Sequence, residues 1–442
     1  MPKSSGGPQF DWRDWQRGVF PIMEEHSRCK LELLRDYLVL YLQIVLANAQ
    51  GKATQYVTLI DGFAGGGVYH DGRLGSPLVI LRAVEEAAAL INIEREKPVS
   101  IVPVCYFIDE NRGAIECLEH HLRGTEFRDR IGNTIHLRHA TFAACVDEIV
   151  VGINERHRRG GNRTIFFLDQ CGYSEVPAAV VRDLDQKLNG RAEFIINFSI
   201  GWFGDFLSNA TEASYQSLVD RLGLGGYVDI AQLLRQRTEL GGNWRHAVES
   251  HIGLGFHHAT GIRCFSPFYI EPEDNHRGYW LLHLAQNQRA RAAMTSIHWS
   301  KANRSKHYGP RGYGILSYKP DLDPTLYING MSFDDTSRVE CQALLAEDYG
   351  RLVRDNFQDG ITYSALADKT CNETIADGAM LDSALWQLFT DNEVEIQSRT
   401  GCPKRSRTLT STDVIVPKKQ LVLSAFGDAL IPRRRPRRLG RS

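Results

Sequence analysis

No stretch of this chain stays apolar for the roughly twenty residues that a membrane span needs. The opening MPKSSGGPQFDWRDW also carries no secretory hydrophobic core. Both absences point to a cytoplasmic protein with no membrane partner. No two of the nine cysteines, at positions 29, 105, 117, 145, 171, 264, 341, 371 and 402, stand at metal-finger spacing. They read as reduced thiols within apolar strands and helices, and no bound metal is expected. No internal repeat is evident, and neither sign of charge dominates, since the formal net charge is −1. That balance hides six arginines in the last ten residues, RRRPRRLGRS. A tail of this kind buries no core, so residues 421–442 are expected as a disordered basic tail, either merely solvating or directed at phosphates or an acidic protein face. What is present, 43% hydrophobic residues over 442 positions, suits a large globular domain followed by a smaller one.

The most informative segment is YVTLIDGFAGGGVYHDG, Tyr56 to Gly72, where an apolar run ends in an acid and meets a glycine cluster. Gly65, Gly66 and Gly67 lack a Cβ, so the backbone there can take positive φ and approach a bulky ligand at the carboxyl end of a strand. Asp61 faces that position. A second run, IVPVCYFIDEN, ends at Asp109 and Glu110. In doubly wound α/β proteins such an acid accepts the ribose hydroxyls of an adenosine-containing ligand, and Asp109 is the first choice for this role. Between the two acids, Val68 to Pro77 is a polar insertion, and Pro77 opens a long helix over Leu78 to Ile93. A third run, NRTIFFLDQCGYSEVP, ends at Asp169 and continues into a loop with Gly172 and Tyr173.

Together the three strand ends resemble class I S-adenosylmethionine-dependent methyltransferases, and DGFAGGG is similar to that family's first cofactor motif. The resemblance implies that Asp61, Phe63, Gly65 and Gly67 hold the methionine end of S-adenosylmethionine and that Asp109 holds the ribose. In methyltransferases that act on exocyclic amines, an acid, a proline-rich turn and an aromatic stand at the third strand end. Asp169 and Tyr173 fit the acid and the aromatic as catalytic residues, while Gln170 and Cys171 replace the prolines. A dinucleotide site is a poorer match, because Phe63 and Ala64 sit inside the turn and a long insertion precedes the helix.

A narrower family is similar over roughly Met23 to Asn303, through KLELLRDYLVLYL, IDGFAGGGVYHDGRLGSPLVIL, FFLDQCGYSEVP, EFIINFSI and YWLLHLAQNQRARAAMTSIHW in that order. Its members are the three-Cys-motif partner proteins, TcmP, whose genes lie beside those of proteins with a three-cysteine motif resembling radical S-adenosylmethionine enzymes. The resemblance implies a methyltransferase-like fold and a three-Cys-motif protein as partner. Two functions follow as expectations. One is methyl transfer to a nucleic-acid or modified-nucleotide acceptor; the other is a non-catalytic adapter that recruits the partner.

The chain divides accordingly. Residues 1–20 are expected as a flexible or loosely docked arm, and residues 21–330 as the methyltransferase-like α/β domain with a doubly wound, mostly parallel sheet. A helix over Met23 to Ala49 precedes the first strand, with His26 and Lys30 one turn apart, either solvated or lining the cofactor entrance. Strands are expected at Tyr56–Asp61, Val99–Ile108, Thr134–Leu137, Thr164–Asp169 and Glu193–Ile200, and a helical insertion at about 206–255. Cys264–Ile270 and Tyr279–Leu284 then read as an antiparallel hairpin. The basic-aromatic loop His298 to Gly314 offers Lys301, Arg304 and Arg311 to phosphates and Tyr308 to a base, unless it is a solvated linker. Residues 338–420 read as three helices and a hairpin, a winged-helix-like α+β domain whose wing would present Arg399, Lys404, Arg405 and Arg407. Its third helix has almost no cation for a groove, which tilts the module toward protein docking over duplex recognition.

Overall fold

The computed structural model describes residues 10–47, 54–93, 95–158, 163–170, 174–201, 211–240, 244–270, 278–301, 305–307, 311–314, 330–404 and 407–418. The protein is a mixed α/β molecule with a large sheet and a carboxyl-terminal helix-and-hairpin module. Strands β1 (Thr54–Asp61), β2 (Ser100–Asp109), β3 (Ile135–His139), β4 (Arg163–Leu168) and β5 (Ala192–Phe198) pair in parallel in the order β3-β2-β1-β4-β5. β7 (Tyr279–Ala285) adds antiparallel to β5, and β6 (Cys264–Ile270) adds antiparallel to β7. Short β8 (Ser305–His307) and β9 (Met331–Ser332) close that edge. Among the described strands of this sheet, only β7 and β8 therefore run against the rest.

These segments become strands because they are apolar on both sides, as a sheet covered on both faces requires. Every residue of β5 and β7 is buried. Pro103 is tolerated inside β2 because β3 begins pairing only at Cys105, whose N–H donates to the Thr134 carbonyl at 2.7 Å. Two residues earlier, the missing proline N–H has no strand to reach. The observed strands match the expected ones to within one or two residues at most ends, and the hairpin of β6 and β7 is antiparallel as expected.

Helix α1 (Glu25–Leu46) lies ahead of β1 and buries Leu33, Leu34, Tyr37, Leu38, Tyr41 and Leu42, a stripe at helical spacing. Tyr37 reaches into the sheet. Its hydroxyl donates to Glu193 on β5 and meets His283 Nε2 of β7 at 3.1 Å, so the buried carboxylate is satisfied. The crossover helices are α2 (Ser76–Asn92), α3 (Arg112–Arg123), α4 (Phe142–Arg158) and α5 (Ala178–Lys187). The expected insertion holds α6 (Glu212–Arg221), α7 (Ile230–Leu240) and α8 (Trp244–Thr260), and α9 (Gln288–Lys301) follows the hairpin.

The carboxyl-terminal module comprises α10 (Asp335–Asn356), α11 (Tyr363–Thr370), α12 (Gly378–Thr390) and a three-stranded sheet of β10 (Ile361–Thr362), β12 (Val414–Pro417) and β11 (Val394–Gln397). It is not strung loosely behind the first domain. Buried Arg291 of α9 donates to the carbonyls of Thr374 and, at 2.8 Å, Ala376, and Trp299 Nε1 donates to Ile375 O at 2.8 Å. Asn372 bridges Phe265 N–H and Arg263 O, and Cys264 and Cys371 bring their sulfurs to 3.8 Å. The turn between α11 and α12 is thereby fixed onto β6 and α9.

Candidate active site

The carboxyl ends of β1 and β4 lie where the strand order reverses, the position at which open α/β sheets bind ligands. The glycine loop starts there. Gly62 N–H donates to Phe167 O at 3.0 Å and Ala64 N–H to Ile108 O at 2.8 Å, tying the loop to both neighbouring strands. Gly65 and Gly67 take φ of +59° and +78°, which only glycine adopts without strain. Asp61 is fully buried, with Oδ1 accepting the Phe63 N–H at 3.2 Å and Oδ2 without a hydrogen-bond partner. Burial pushes its pKa up to about 7, the charges of Asp169 and Asp109 adding to the rise, while Ser76 and the Phe63 N–H oppose it.

Asp109 closes the second strand end. One oxygen accepts the Gly65 N–H at 2.9 Å and the other the Asn111 N–H at 2.7 Å, so this acid braces the glycine loop from the side. Each oxygen retains accepting capacity for a ligand hydroxyl. Burial raises its pKa, and the two amides pull it back. The amino-terminal segment crosses directly over this region. Residues 10–20, expected as a loosely docked arm, contain a 3₁₀ helix, Trp12–Arg17, started by Asp11, which accepts the Arg13 N–H. The Trp12 indole lies so close to Gly66 that a Cβ there would stand 2.1 Å from the ring. Phe10, Asp11, Arg13, Trp15, Glu110, Gly113 and His139 help line an open cavity of about 760 Å³ beside Asp109.

Asp169 follows β4 and has a partner that no local pattern announces. Lys30 of α1, only 5% exposed, donates to its two oxygens at 2.6 and 2.8 Å. The same Nζ lies 5.3 Å from the Tyr279 ring centroid, and Tyr279 donates its hydroxyl to His26 O at 3.0 Å. Lys30 is therefore buried at the third strand end and not solvated: the acid opposite supplies what makes its burial tolerable. Burial, with Lys30 next in effect, holds His26 below its ordinary pKa. Tyr69, facing Asp169 and Asp61, is pushed up to about 12, chiefly by burial.

Gln170, which stands where a proline was expected from the resemblance, is buried and accepts the Glu175 and Val176 N–H groups on Oε1, each at 2.9 Å. It shapes the loop by hydrogen bonds in place of ring geometry. Asn197 of β5 donates to Gln170 O at 3.5 Å, which ties the loop to the neighbouring strand. Tyr173 lies outside the described residues.

The proposed contact residues are scattered. Lys301 Nζ pairs with Asp36 of α1 at 2.5 Å and Arg311 with Glu340 of α10, so both cations already neutralise carboxylates of their own chain. Lys404, read as a cation presented by the wing, instead pairs with Asp413 and braces the hairpin. Arg304, Tyr308 and Arg405 lie outside the described residues. In helix-turn-helix readers, the amino end of the recognition helix meets the bases. Here the corresponding helix α12 starts at Asp377, which caps Met380 N–H, pairs with Arg338 and adjoins the turn docked on α9. What the sequence reading missed, the partner of Lys30 and the whole role of Arg291, is long-range: the partners are remote in sequence.

A family model described as GMT-like wHTH domain matches residues 317–401, which fits a carboxyl-terminal winged helix. No curated protein matches the chain. Among the described residues, no helix is long and apolar enough to cross a membrane, and no group of three His, Cys, Asp or Glu residues is placed to hold a metal ion.

Proposed function

We propose that this chain is an S-adenosylmethionine-dependent methyltransferase of the doubly wound class I type, acting on a nucleic-acid or modified-nucleotide acceptor. The observation that carries the reading is the meeting of three acids, Asp61, Asp109 and Asp169, at the strand ends where the sheet order reverses. Right-handed crossovers would put α2 and α3 on one face and α4 and α5 on the other, which is double winding. The antiparallel β6–β7 hairpin is the closing feature expected from the methyltransferase resemblance.

The residues suit the group. Buried Asp61 has an unpartnered oxygen that an ammonium would satisfy, and the positive-φ glycines leave room for close approach. Asp61, Phe63, Gly65 and Gly67 would hold the methionine end, and Asp109 the ribose. When bound, S-adenosylmethionine supplies an electrophilic methyl on a sulfonium. The protein's own task is to orient the acceptor and accept its proton, and Asp169 with Tyr173 would do this. The resemblance to three-Cys-motif partner proteins adds a three-Cys-motif protein as companion.

The adapter reading is favoured by one observation, the docking of the helix-turn-helix turn onto α9 and β6, which leaves the module built into the body of the protein. A calorimetric titration with S-adenosylhomocysteine separates the two. Saturable heat in the wild type, reduced in Asp109→Ala, supports cofactor binding; no heat in the wild type leaves the adapter.

A further inference from the structure

The pairing of Lys30 with Asp169 changes what the third strand end can do. An amine acceptor gains positive charge as it is methylated, so its site profits from an uncompensated carboxylate or carbonyl. Here both oxygens of Asp169 are occupied by one ammonium, at 2.6 and 2.8 Å. The ammonium is sealed behind the acid: the Lys30 side chain is 6% exposed and that of Asp169 27%. Tyr279 covers it from one side, with its ring centroid 5.3 Å from Nζ, and is itself tied to the backbone of His26. The lysine is thus built into the wall, with a fixed acid between it and the crevice.

We propose that Lys30 makes this an oxygen-acceptor site, so that the group methylated is a hydroxyl and not an exocyclic amine. This rests on the methyl-transfer reading given above. Methylation of a hydroxyl forms one O–C bond as the C–S bond breaks with its electron pair left on sulfur, and the hydroxyl proton leaves through Asp169 to water. As that proton departs, the oxygen gains negative character. The ammonium behind Asp169 favours this by cancelling the carboxylate charge that would oppose a growing oxyanion, whereas the growing cation of an amine would need that charge uncancelled. Lys30 acts partly through Asp169, by fixing the acid's orientation, and partly through its own charge.

The first test needs no acceptor. Sinefungin carries an amine, protonated at neutral pH, where the methyl donor carries its methyl; S-adenosylhomocysteine carries nothing there. With Lys30 in place, the two ligands bind wild type with similar Kd. Lys30→Met uncovers the Asp169 carboxylate and shifts the ratio of the two Kd values toward sinefungin by on the order of tenfold, and Lys30→Arg returns it to the wild-type ratio. A purely structural lysine would weaken both ligands together, and an unchanged ratio in Lys30→Met overturns the proposal. The acceptor atom is then read by incubating the full chain with methyl-labelled donor and total cellular RNA, and digesting the product. Label on ribose or another oxygen supports the proposal; label on a base nitrogen overturns it while leaving methyl transfer intact. Failure of wild type to bind S-adenosylhomocysteine at all is distinct, since it removes the underlying reading.

Discussion

Replacing Asp61 by Asn removes an ionisation that the fold resists, and the consequence is pH-dependent. The native state holds the Asp61 proton up to about pH 7, against an ordinary value of 3.8, because the group is fully buried and the charges of Asp169 and Asp109 lie near it. A carboxyl raised in the folded state contributes stability that is complete below its unfolded pKa and is lost as pH rises through the folded one. For Asp61 the window therefore runs from about pH 4 to about pH 7. At ~1.36 kcal/mol per pH unit, the loss across it approaches ~4 kcal/mol, and relaxation of the surroundings reduces it toward ~2 kcal/mol. Asn has nearly the same shape and no charge, so Asp61→Asn should match wild type near pH 4 and exceed its stability by about 2 kcal/mol or more at pH 8. Urea unfolding followed by circular dichroism at pH 4, 6 and 8, with equal m values, measures this directly. A difference independent of pH, or one that favours wild type as pH rises, would refute the placement of Asp61 as a buried, unpaired acid.

Asp109→Ala should weaken S-adenosylhomocysteine by about 1 to 2 kcal/mol, through loss of a charge-assisted bond and of the brace on Gly65; equal calorimetric affinities would remove Asp109 from the site. Tyr37→Phe leaves buried Glu193 and His283 without the hydroxyl they share, and should cost about 1 to 3 kcal/mol in denaturant unfolding. A neutral effect would mean that Glu193 is satisfied without it. Gly66→Ala should expel Trp12 and speed proteolysis within residues 10–20, because its Cβ meets the indole. In a Trp12→Ala background the same change should add little, and additive effects would show that the two positions do not touch.

The sheet was legible because its strands are apolar runs that end abruptly in acids. TLID, FFLD and CYFID announce both a buried strand and a polar strand end, and the order of helices between them predicts parallel pairing. The glycine loop was legible as well, since the positive φ of a close-approach turn strongly favours glycine. Lys30 was not. On its own helix it looks like one charge beside His26, and the acid that allows its burial lies 139 residues away. Arg291 is harder still, because its partners are backbone carbonyls at Thr374 and Ala376, and a carbonyl leaves no mark in the residue type. Trp12 looked like part of an arm because nothing near it in sequence is apolar enough to form a core; its contact is with the glycine loop. Gln170 shows a substitution by function: a proline-free turn is held by a side-chain amide that takes two backbone N–H groups.

The proposed ligand site lies between the glycine loop, Asp109 and Asp169. A crystal structure of the full chain with S-adenosylhomocysteine tests it most directly. The expected result is the ligand's ammonium beside Asp61, its ribose hydroxyls on Asp109 and its sulfur facing the Asp169–Lys30 pair. Ligand bound elsewhere, or a crevice left empty at saturating concentration, would contradict the account.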